Sequence, residues 1–191
     1  AMGDIAKRTG VRGAVKFQFR DLDTLIHPDY QNFAGNENIR VLLSTRLSEE
    51  DFTRLVEEVR GEGMISICSP FDETSVDQIE RLGIEVIKIA SASANDWPLL
   101  ERAAETGKPV ICSTGGLLIR DIDKVVNFFQ HHGVHFALLH CVSMYPVPND
   151  MLFINQIELM RKRYPGIVVG FSTHEYPDNF NTIRLAYAKG A

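Results

Sequence analysis

The chain has 191 residues, 45% of them hydrophobic and 24% charged, which is typical of a folded domain with a sizeable core. Its net charge of −5 and the lack of any basic run argue against a nucleic-acid partner. No stretch approaches the roughly 18 apolar residues of a membrane helix, and the three cysteines lack the paired spacing of a metal cage or a disulfide framework. We therefore expect a cytoplasmic protein with reduced thiols and with neither a nucleic-acid nor a membrane partner.

The N-terminal quarter of the chain contains one predicted strand and a long polar segment. The residues before Gly13 are too few for both a strand and a helix, and the first clear strand includes Lys16 and Gln18. Residues 19–47 are polar and irregular, which predicts a long loop.

From residue 48 onward, predicted helices and strands alternate. Ser48, followed three residues later by Asp51, predicts a capped helix that ends at Gly61 or Gly63. The strands that follow are predicted at residues 64–69, 85–91, 109–113, 136–142 and 167–172. The helices between and after them are predicted at residues 73–82, 96–106, 120–132, 152–163 and 180–189. This alternation predicts βαβ units and a parallel sheet.

The strands share a small polar residue, a lysine or a histidine at or near the C-terminal end. No G-x-G-x-x-G sequence follows the first strand, which argues against a dinucleotide-binding sheet. A (β/α)8 TIM barrel is favoured, because its active site lies at the C-terminal ends of its strands. Six strands are visible, two short of eight, so we expect residues 1–191 to form a single barrel domain that is incomplete in this chain.

Two lysines, Lys16 and Lys88, occupy apolar strands that we expect to be covered on both faces. A buried ammonium group is costly without a partner, so each lysine should face an anion or a carboxylate. If both point into one barrel mouth, they form a compact site for a phosphate or a carboxylate group.

Serines occupy matching positions at five strand ends. They are Ser69, Ser91, Ser113, Ser143 and Ser172. Together they predict a ring of hydrogen-bond donors around a bound oxyanion. No G-x-S-x-G elbow accompanies them, which argues against a nucleophilic serine.

Two of the six histidines lie in or just after strands. His174 follows its strand and precedes Glu175, where a metal ion could be reached, whereas His140 lies deeper and is expected to have a structural role. The other four, His27, His131, His132 and His135, are expected to be solvated.

These residues together resemble the N-acetylneuraminate (sialic acid) synthase family, including its spore-coat-polysaccharide type of homologue. The resemblance rests on the ordered motifs Val15-Lys16-Phe17-Gln18, Cys68-Ser69-Pro70-Phe71-Asp72, Ile87-Lys88-Ile89-Ala90-Ser91, Ser113-Thr114-Gly115, Leu139-His140-Cys141-Val142-Ser143-Met144-Tyr145-Pro146 and Gly170-Phe171-Ser172-Thr173-His174.

The resemblance implies a barrel enzyme that condenses phosphoenolpyruvate with an N-acetylated aldose, such as N-acetylmannosamine, to a sialic or related nonulosonic acid and phosphate. It implies a divalent metal, manganese in the first place with magnesium or cobalt as alternatives, that polarises the aldehyde, and it implies a homodimer. Phosphoenolpyruvate would be held by Lys16, Gln18, Ser69, Lys88, Ser91, Ser113 and Ser172. Tyr145 and Ser143 would border the acceptor sugar, with Lys16, Lys88 and Tyr145 as catalytic groups and His174 as one of two metal ligands.

The resemblance also implies that strands 2 to 7 of the barrel are visible. Strand 1, strand 8 with the second metal histidine, and the small antifreeze-like domain of many members are expected outside this chain. Residues 1–4 would be the loop that follows strand 1.

Three positions depart from the usual pattern of the family. They are Ser93, Ser143 and Thr173, which lie largely on the acceptor side. Two alternatives therefore stay open: a phosphoenolpyruvate- or pyruvate-using aldulosonate synthase with a different acceptor, and a non-catalytic barrel that binds an anionic sugar.

Overall fold

The computed structural model describes residues 2–30, 35–176 and 178–191. The chain divides into two compact units, Ala1–Val86 (unit 1) and Ile87–Ala191 (unit 2). From α4 (Glu49–Gly61) onward, α-helices and strands alternate, as the sequence predicts. Within the described residues, every helix is too short or too polar to cross a membrane.

Unit 1 is built on two parallel strands and the helices around them. Its elements are α1 (Met2–Thr9), β1 (Ala14–Phe19), α2 (Leu22–Leu25), α3 (Glu37–Ser44), α4 (Glu49–Gly61), β2 (Ile65–Pro70) and α5 (Glu73–Arg81). Gln18 of β1 lies opposite Ser69 of β2 in the parallel ladder. Phe19 is fully buried and packs edge-on against Phe52, with ring centroids 4.6 Å apart, which anchors α4 on the strands.

The start of α4 confirms the predicted cap. The Asp51 backbone N–H donates to Ser48 Oγ at 3.1 Å, and the Ser48 backbone N–H donates to Asp51 Oδ2 at 3.2 Å. This reciprocal capping box satisfies two backbone donors that the helix itself cannot pair.

The predicted loop at residues 19–47 is wrong for most of the residues that the structure describes there. The segment contains α2, a 3-10 turn at Pro28–Tyr30 and α3, while residues 31–34 lie outside the description. Side-chain caps stabilise the first turns of α2 and α3. Asp21 accepts from the Asp23 N–H, and Asn36 accepts from the N–H groups of residues 38 and 39. The expected loop at residues 2–4 is also wrong, because these residues open α1.

Unit 2 contains parallel strands in chain order with a helix after each. Its elements, counting the boundary strand β3 here, are β3 (Val86–Ile89), α6 (Trp97–Glu105), β4 (Val110–Ser113), α7 (Ile119–His131), β5 (Phe136–His140), α8 (Gln156–Arg163), β6 (Val168–Phe171) and α9 (Phe180–Ala188). β3 pairs with β4, β4 with β5, and β5 with β6. The core is apolar and fully buried, with Ile87, Leu100, Phe129 and Leu138 among its members.

Some predicted boundaries shift by a few residues. The helix predicted at 152–163 begins at Gln156, after a 3-10 turn at Asn149–Met151. Ser91 and Cys141 were predicted inside strands but lie just past them. The polar groups that follow β3, β4 and β5 are therefore on loops, where side chains can face a ligand.

Candidate functional site

A buried lysine pairs with a strand-end serine in unit 2. Lys88 lies in the middle of β3 with 9% of its surface exposed. Its Nζ donates to Ser113 Oγ at 2.6 Å and to the Ile89 carbonyl at 3.2 Å. The ammonium group is thus held at the end of β4, where a positive charge acts through a low dielectric.

Ser91 is held by the loop after β4. The Gly115 N–H donates to Ser91 Oγ at 3.0 Å, and the Ser91 hydroxyl donates to Cys141 Sγ at 3.5 Å. Sulfur is a weak acceptor, so an anionic oxygen can compete for this hydroxyl proton. Ser91 is consequently an oriented donor whose proton is only weakly engaged.

The side chains around Gly115 leave no room for a Cβ atom at this position. A Cβ atom on it would lie 2.5 Å from Ser143 Oγ, 2.9 Å from Ser91 Oγ and 3.0 Å from Cys141 Sγ. The backbone of Gly115 therefore lies among the side chains of Ser91, Cys141 and Ser143, and it brings two predicted site serines into one cluster. Gly115 belongs to the motif Ser113-Thr114-Gly115, but its close approach to Ser91, Cys141 and Ser143 joins residues far apart in sequence and is visible only in the structure.

His174 presents one ring nitrogen as a ligand. Its Nδ1 lies 2.7 Å from the Val142 carbonyl oxygen, which can only accept, so Nδ1–H donates to it and Nε2 is the nitrogen that faces away from this bond. The exposed Tyr145 ring packs on the imidazole, with centroids 4.1 Å apart. Cys141 Sγ lies 4.0 Å from Nε2.

Among the described residues, His174 is the metal-ligand candidate that the family resemblance assigns. No group of three His, Cys, Asp or Glu side chains within it is arranged to hold a metal ion. His174 fits as a single ligand, because its second nitrogen is fixed by a carbonyl in the way that metal-binding histidines usually are.

His140 is a buried structural histidine. Its Nε2–H donates to the Leu152 carbonyl at 2.8 Å, and its ring stacks on Phe171 at 5.9 Å between centroids. Burial lowers the pKa of His140 below its ordinary value, and the hydrogen bond to Leu152 offsets that effect only in part. The imidazole is therefore held in its neutral form.

In unit 1, the predicted site residues differ in exposure. Ser69 is buried, whereas Lys16 and Gln18 are exposed. The expectation that Lys16 is covered on both faces is wrong, since β1 alternates, with Lys16 on the open face and Phe19 on the buried one. Gln18 Oε1 accepts from Arg20 Nη2 at 3.0 Å, a contact that the sequence analysis missed.

The structure thus brings some predicted residues together and leaves others as predictions. Lys88 donates a hydrogen bond to Ser113. The side chains of Ser91 and Ser143 both lie close to Gly115, and the Tyr145 ring packs on the His174 ring. Ser172 follows β6, and its backbone N–H donates to the His140 carbonyl at 2.9 Å. Lys16 and Lys88 belong to different units, so their convergence on one ligand stays a prediction.

Comparison with known proteins identifies the family. The NeuB family model matches residues 2–191. The chain belongs to the NeuB family. This NeuB-family chain is 30% identical over 182 residues to the N,N'-diacetyllegionaminic acid synthase of Legionella pneumophila, an alignment that covers 88% of the chain and 51% of that relative. It is 30% identical over 184 residues to the spore coat polysaccharide biosynthesis protein SpsE of Bacillus subtilis, covering 93% of the chain and 49% of SpsE.

A solved structure shares the fold. The N-acetylneuraminic acid (sialic acid) synthetase of Leptospira borgpetersenii, in complex with citrate, superposes with a TM-score of 0.84 at 27% identity, over 100% of this chain and 63% of that one. The predicted family and the predicted barrel class, with six of the eight strands in the described residues, are confirmed. The NeuB-family chain spans about half the length of the curated relatives it matches.

Proposed function

We propose that the protein condenses phosphoenolpyruvate with an N-acetylated aldose to give a nonulosonic acid and phosphate. Membership of the NeuB family supports this proposal, and so do the synthase names of several relatives. The observation that carries it is Lys88, a buried ammonium group bonded to Ser113 at the C-terminal ends of parallel strands. A fixed cation in such a place is suited to a doubly charged substrate.

Lys88, Ser91 and Ser113 bind the anionic groups of phosphoenolpyruvate in this proposal. The Lys88 charge is already desolvated, so it attracts an oxyanion more strongly than a surface lysine would. Ser91 is oriented by the Gly115 N–H and exchanges its weak sulfur acceptor for a substrate oxygen. Ser113 turns its own hydroxyl proton to the substrate while it accepts from Lys88.

Further residues follow from the family resemblance. Lys16, Gln18, Ser69 and Ser172 are assigned to the same substrate, and Tyr145 and Ser143 to the acceptor. The exposed Tyr145 ring, packed on His174, is suited to contact one face of a sugar. A homodimer and a cytoplasmic location remain predictions from the sequence.

His174 would hold a divalent metal through Nε2, with manganese as the first candidate. When bound, the metal would supply Lewis acidity toward the acceptor aldehyde. The chain's own contribution is to fix the imidazole: the Val142 carbonyl holds Nδ1–H, and Tyr145 restricts the ring plane.

Phosphate release from phosphoenolpyruvate by the full-length protein tests the proposal. We expect release with manganese and at least one N-acetylated aldose, no release without an aldose, and loss of activity with a chelator. Replacing His174 with Gln should weaken manganese binding measured by calorimetry. Phosphate release that needs no aldose, or none with any aldose of a broad panel, would contradict the proposal.

A different acceptor is the second candidate. Ser93, Ser143 and Thr173 depart from the family pattern on the acceptor side, and Ser143 is exposed beside Gly115. Turnover with aldoses that lack an N-acetyl group, together with none on N-acetylated ones, would favour this alternative.

A further inference from the structure

The loop between β5 and α8, residues 141–155, carries the two residues that the resemblance assigns to the acceptor sugar, Ser143 and Tyr145. Both side chains are exposed. Loops of this length are mobile unless contacts elsewhere in the fold hold them. The positions of Ser143 and Tyr145 therefore depend on how the rest of the loop is fixed to unit 2.

The side chain of His140, the last residue of β5, holds the far end of this loop. Its Nε2–H donates to the Leu152 carbonyl at 2.8 Å, and both residues are buried, with 5% and 7% of their surfaces exposed. Loss of this donor would be costly, because the carbonyl oxygen of Leu152 lies where water cannot easily replace it. One hydrogen bond thus closes the chain between residues 140 and 152.

His140 is itself fixed by β6. Its backbone carbonyl accepts from the Ser172 N–H at 2.9 Å, and its ring stacks on Phe171 with centroids 5.9 Å apart. Burial lowers the pKa of His140, which keeps the imidazole neutral with a single N–H donor. The sheet therefore fixes the donor, and the loop is the partner that the donor holds.

Backbone strain beside Leu152 indicates that this part of the loop is held in place. Phe153 has a φ of 45°, in the left-handed region that residues other than glycine rarely adopt. Its carbonyl accepts from the Gln156 N–H at 2.9 Å, at the start of α8. Such strain persists only where neighbouring contacts fix the backbone. The hydrogen bond from His140 to Leu152 is one such contact.

A further hydrogen bond holds the middle of the loop. Val147 is buried, and its N–H donates to the His174 carbonyl at 3.1 Å. The Tyr145 ring packs on the His174 ring, with centroids 4.1 Å apart. Val147 lies between Tyr145 and Leu152 in the chain. Release of Leu152 would therefore lengthen the part of the loop that can move and loosen the position of Tyr145.

We propose that His140 is a positioning residue for the acceptor sugar, because it holds the loop that presents Ser143 and Tyr145. This inference rests on the proposed function. His140 acts through the loop and not by contact with a substrate, since it is buried and its Nε2–H is used by Leu152.

The expected effect is selective for one substrate. Lys88 and Ser113, which bind phosphoenolpyruvate in the proposed function, lie in β3 and β4 and not in this loop. Loosening the loop should therefore raise the KM of the aldose and leave the KM of phosphoenolpyruvate nearly unchanged. General damage to the fold would instead raise both values.

Two substitutions of His140 separate its hydrogen bond from its packing. His140→Phe keeps an aromatic ring on Phe171 but removes the donor, whereas His140→Gln keeps an N–H donor. His132→Phe is the matched control, because His132 is exposed and its Nδ1 contacts a backbone carbonyl, that of Phe128, at 2.9 Å.

Steady-state kinetics of the full-length protein measure both KM values, with N-acetylmannosamine as the first aldose. In His140→Phe, we expect the KM of the aldose to rise about fivefold or more, as for one lost buried hydrogen bond. The KM of phosphoenolpyruvate should change less than about twofold. His140→Gln should restore most of the loss, and His132→Phe should change neither KM more than about twofold, as for a surface substitution.

Hydrogen exchange of residues 141–152, measured by mass spectrometry without substrates or metal, gives a readout that needs no turnover. We expect exchange in His140→Phe to be about fivefold faster or more, because the closing hydrogen bond is lost. In His140→Gln and His132→Phe, exchange in this loop should match the wild type.

Equal rises in the two KM values, or an unchanged KM for the aldose in His140→Phe, would overturn the assignment. Unchanged hydrogen exchange in the loop would overturn it as well. A wild-type protein that condenses no aldose would contradict the proposed function instead, and the exchange measurement then decides by itself whether His140 holds this loop.

Discussion

At the scale of single residues, the proposed function depends mainly on Lys88. Its neighbours in β3 are apolar and buried, so the ammonium group depends on the polar atoms at the strand ends. A buried lysine costs stability, and this cost supports the proposed role of Lys88 in binding an anionic ligand.

We expect Lys88→Ala to abolish phosphate release while leaving the far-ultraviolet circular dichroism unchanged. The physical reason is the loss of the desolvated charge that holds the substrate anion. Lys124→Ala is the matched control, because Lys124 is an exposed lysine of unit 2 that pairs with Asp121. Full turnover in Lys88→Ala would remove Lys88 from the site.

At the scale of elements, side-chain caps mark the start of several helices, α4 and α5 among them. Asp72 joins two segments of unit 1: its Oδ1 accepts from the Ser75 N–H at 2.7 Å, and its Oδ2 accepts from the Asp21 N–H at 2.8 Å. One carboxylate thereby caps α5 and holds the chain that leaves β1.

Asp72→Ala should lower the free energy of unfolding by about 2–3 kcal/mol, the sum of a lost cap and a lost charge-assisted hydrogen bond. Ser48→Ala removes a cap only from α4, and we expect a loss of about 1 kcal/mol. Urea unfolding of the two variants measures both values. Equal losses would show that the Asp21 bond contributes little.

At the scale of the whole molecule, stability is expected to depend on pH through His140. Because burial lowers the pKa of His140 in the folded chain below 6.5, the unfolded chain takes up the proton first as the pH falls. The stabilisation from the neutral imidazole is complete above about pH 6.5 and declines below it.

Urea unfolding between pH 7.5 and 5, followed by the fluorescence of the single tryptophan, Trp97, measures this effect. We expect the wild type to lose up to about 1.4 kcal/mol for each pH unit below 6.5 relative to His140→Gln, which cannot take up the proton. Parallel curves for the two proteins would mean that His140 does not control the acid limb.

Much of the architecture could be predicted because it repeats along the chain. The six strands, the parallel arrangement and the capping box at Ser48 follow from local patterns of apolar residues, turns and caps. The same local patterns did not predict α2 and α3 within residues 19–47. These helices are short, and side-chain caps and packing stabilise them more than a regularly spaced apolar face does.

The sequence by itself determined the βα alternation, the family, and the residue types at the strand ends, because these depend on neighbours along the chain. Only the tertiary structure decided that Lys16 is exposed while Lys88 is buried, that Gly115 lies among Ser91, Cys141 and Ser143, and that Arg20 stacks on Phe71. The physical reason is that burial, close approach and charge pairing arise between residues far apart in sequence. Their distances are set by how strands and loops pack and not by any local pattern.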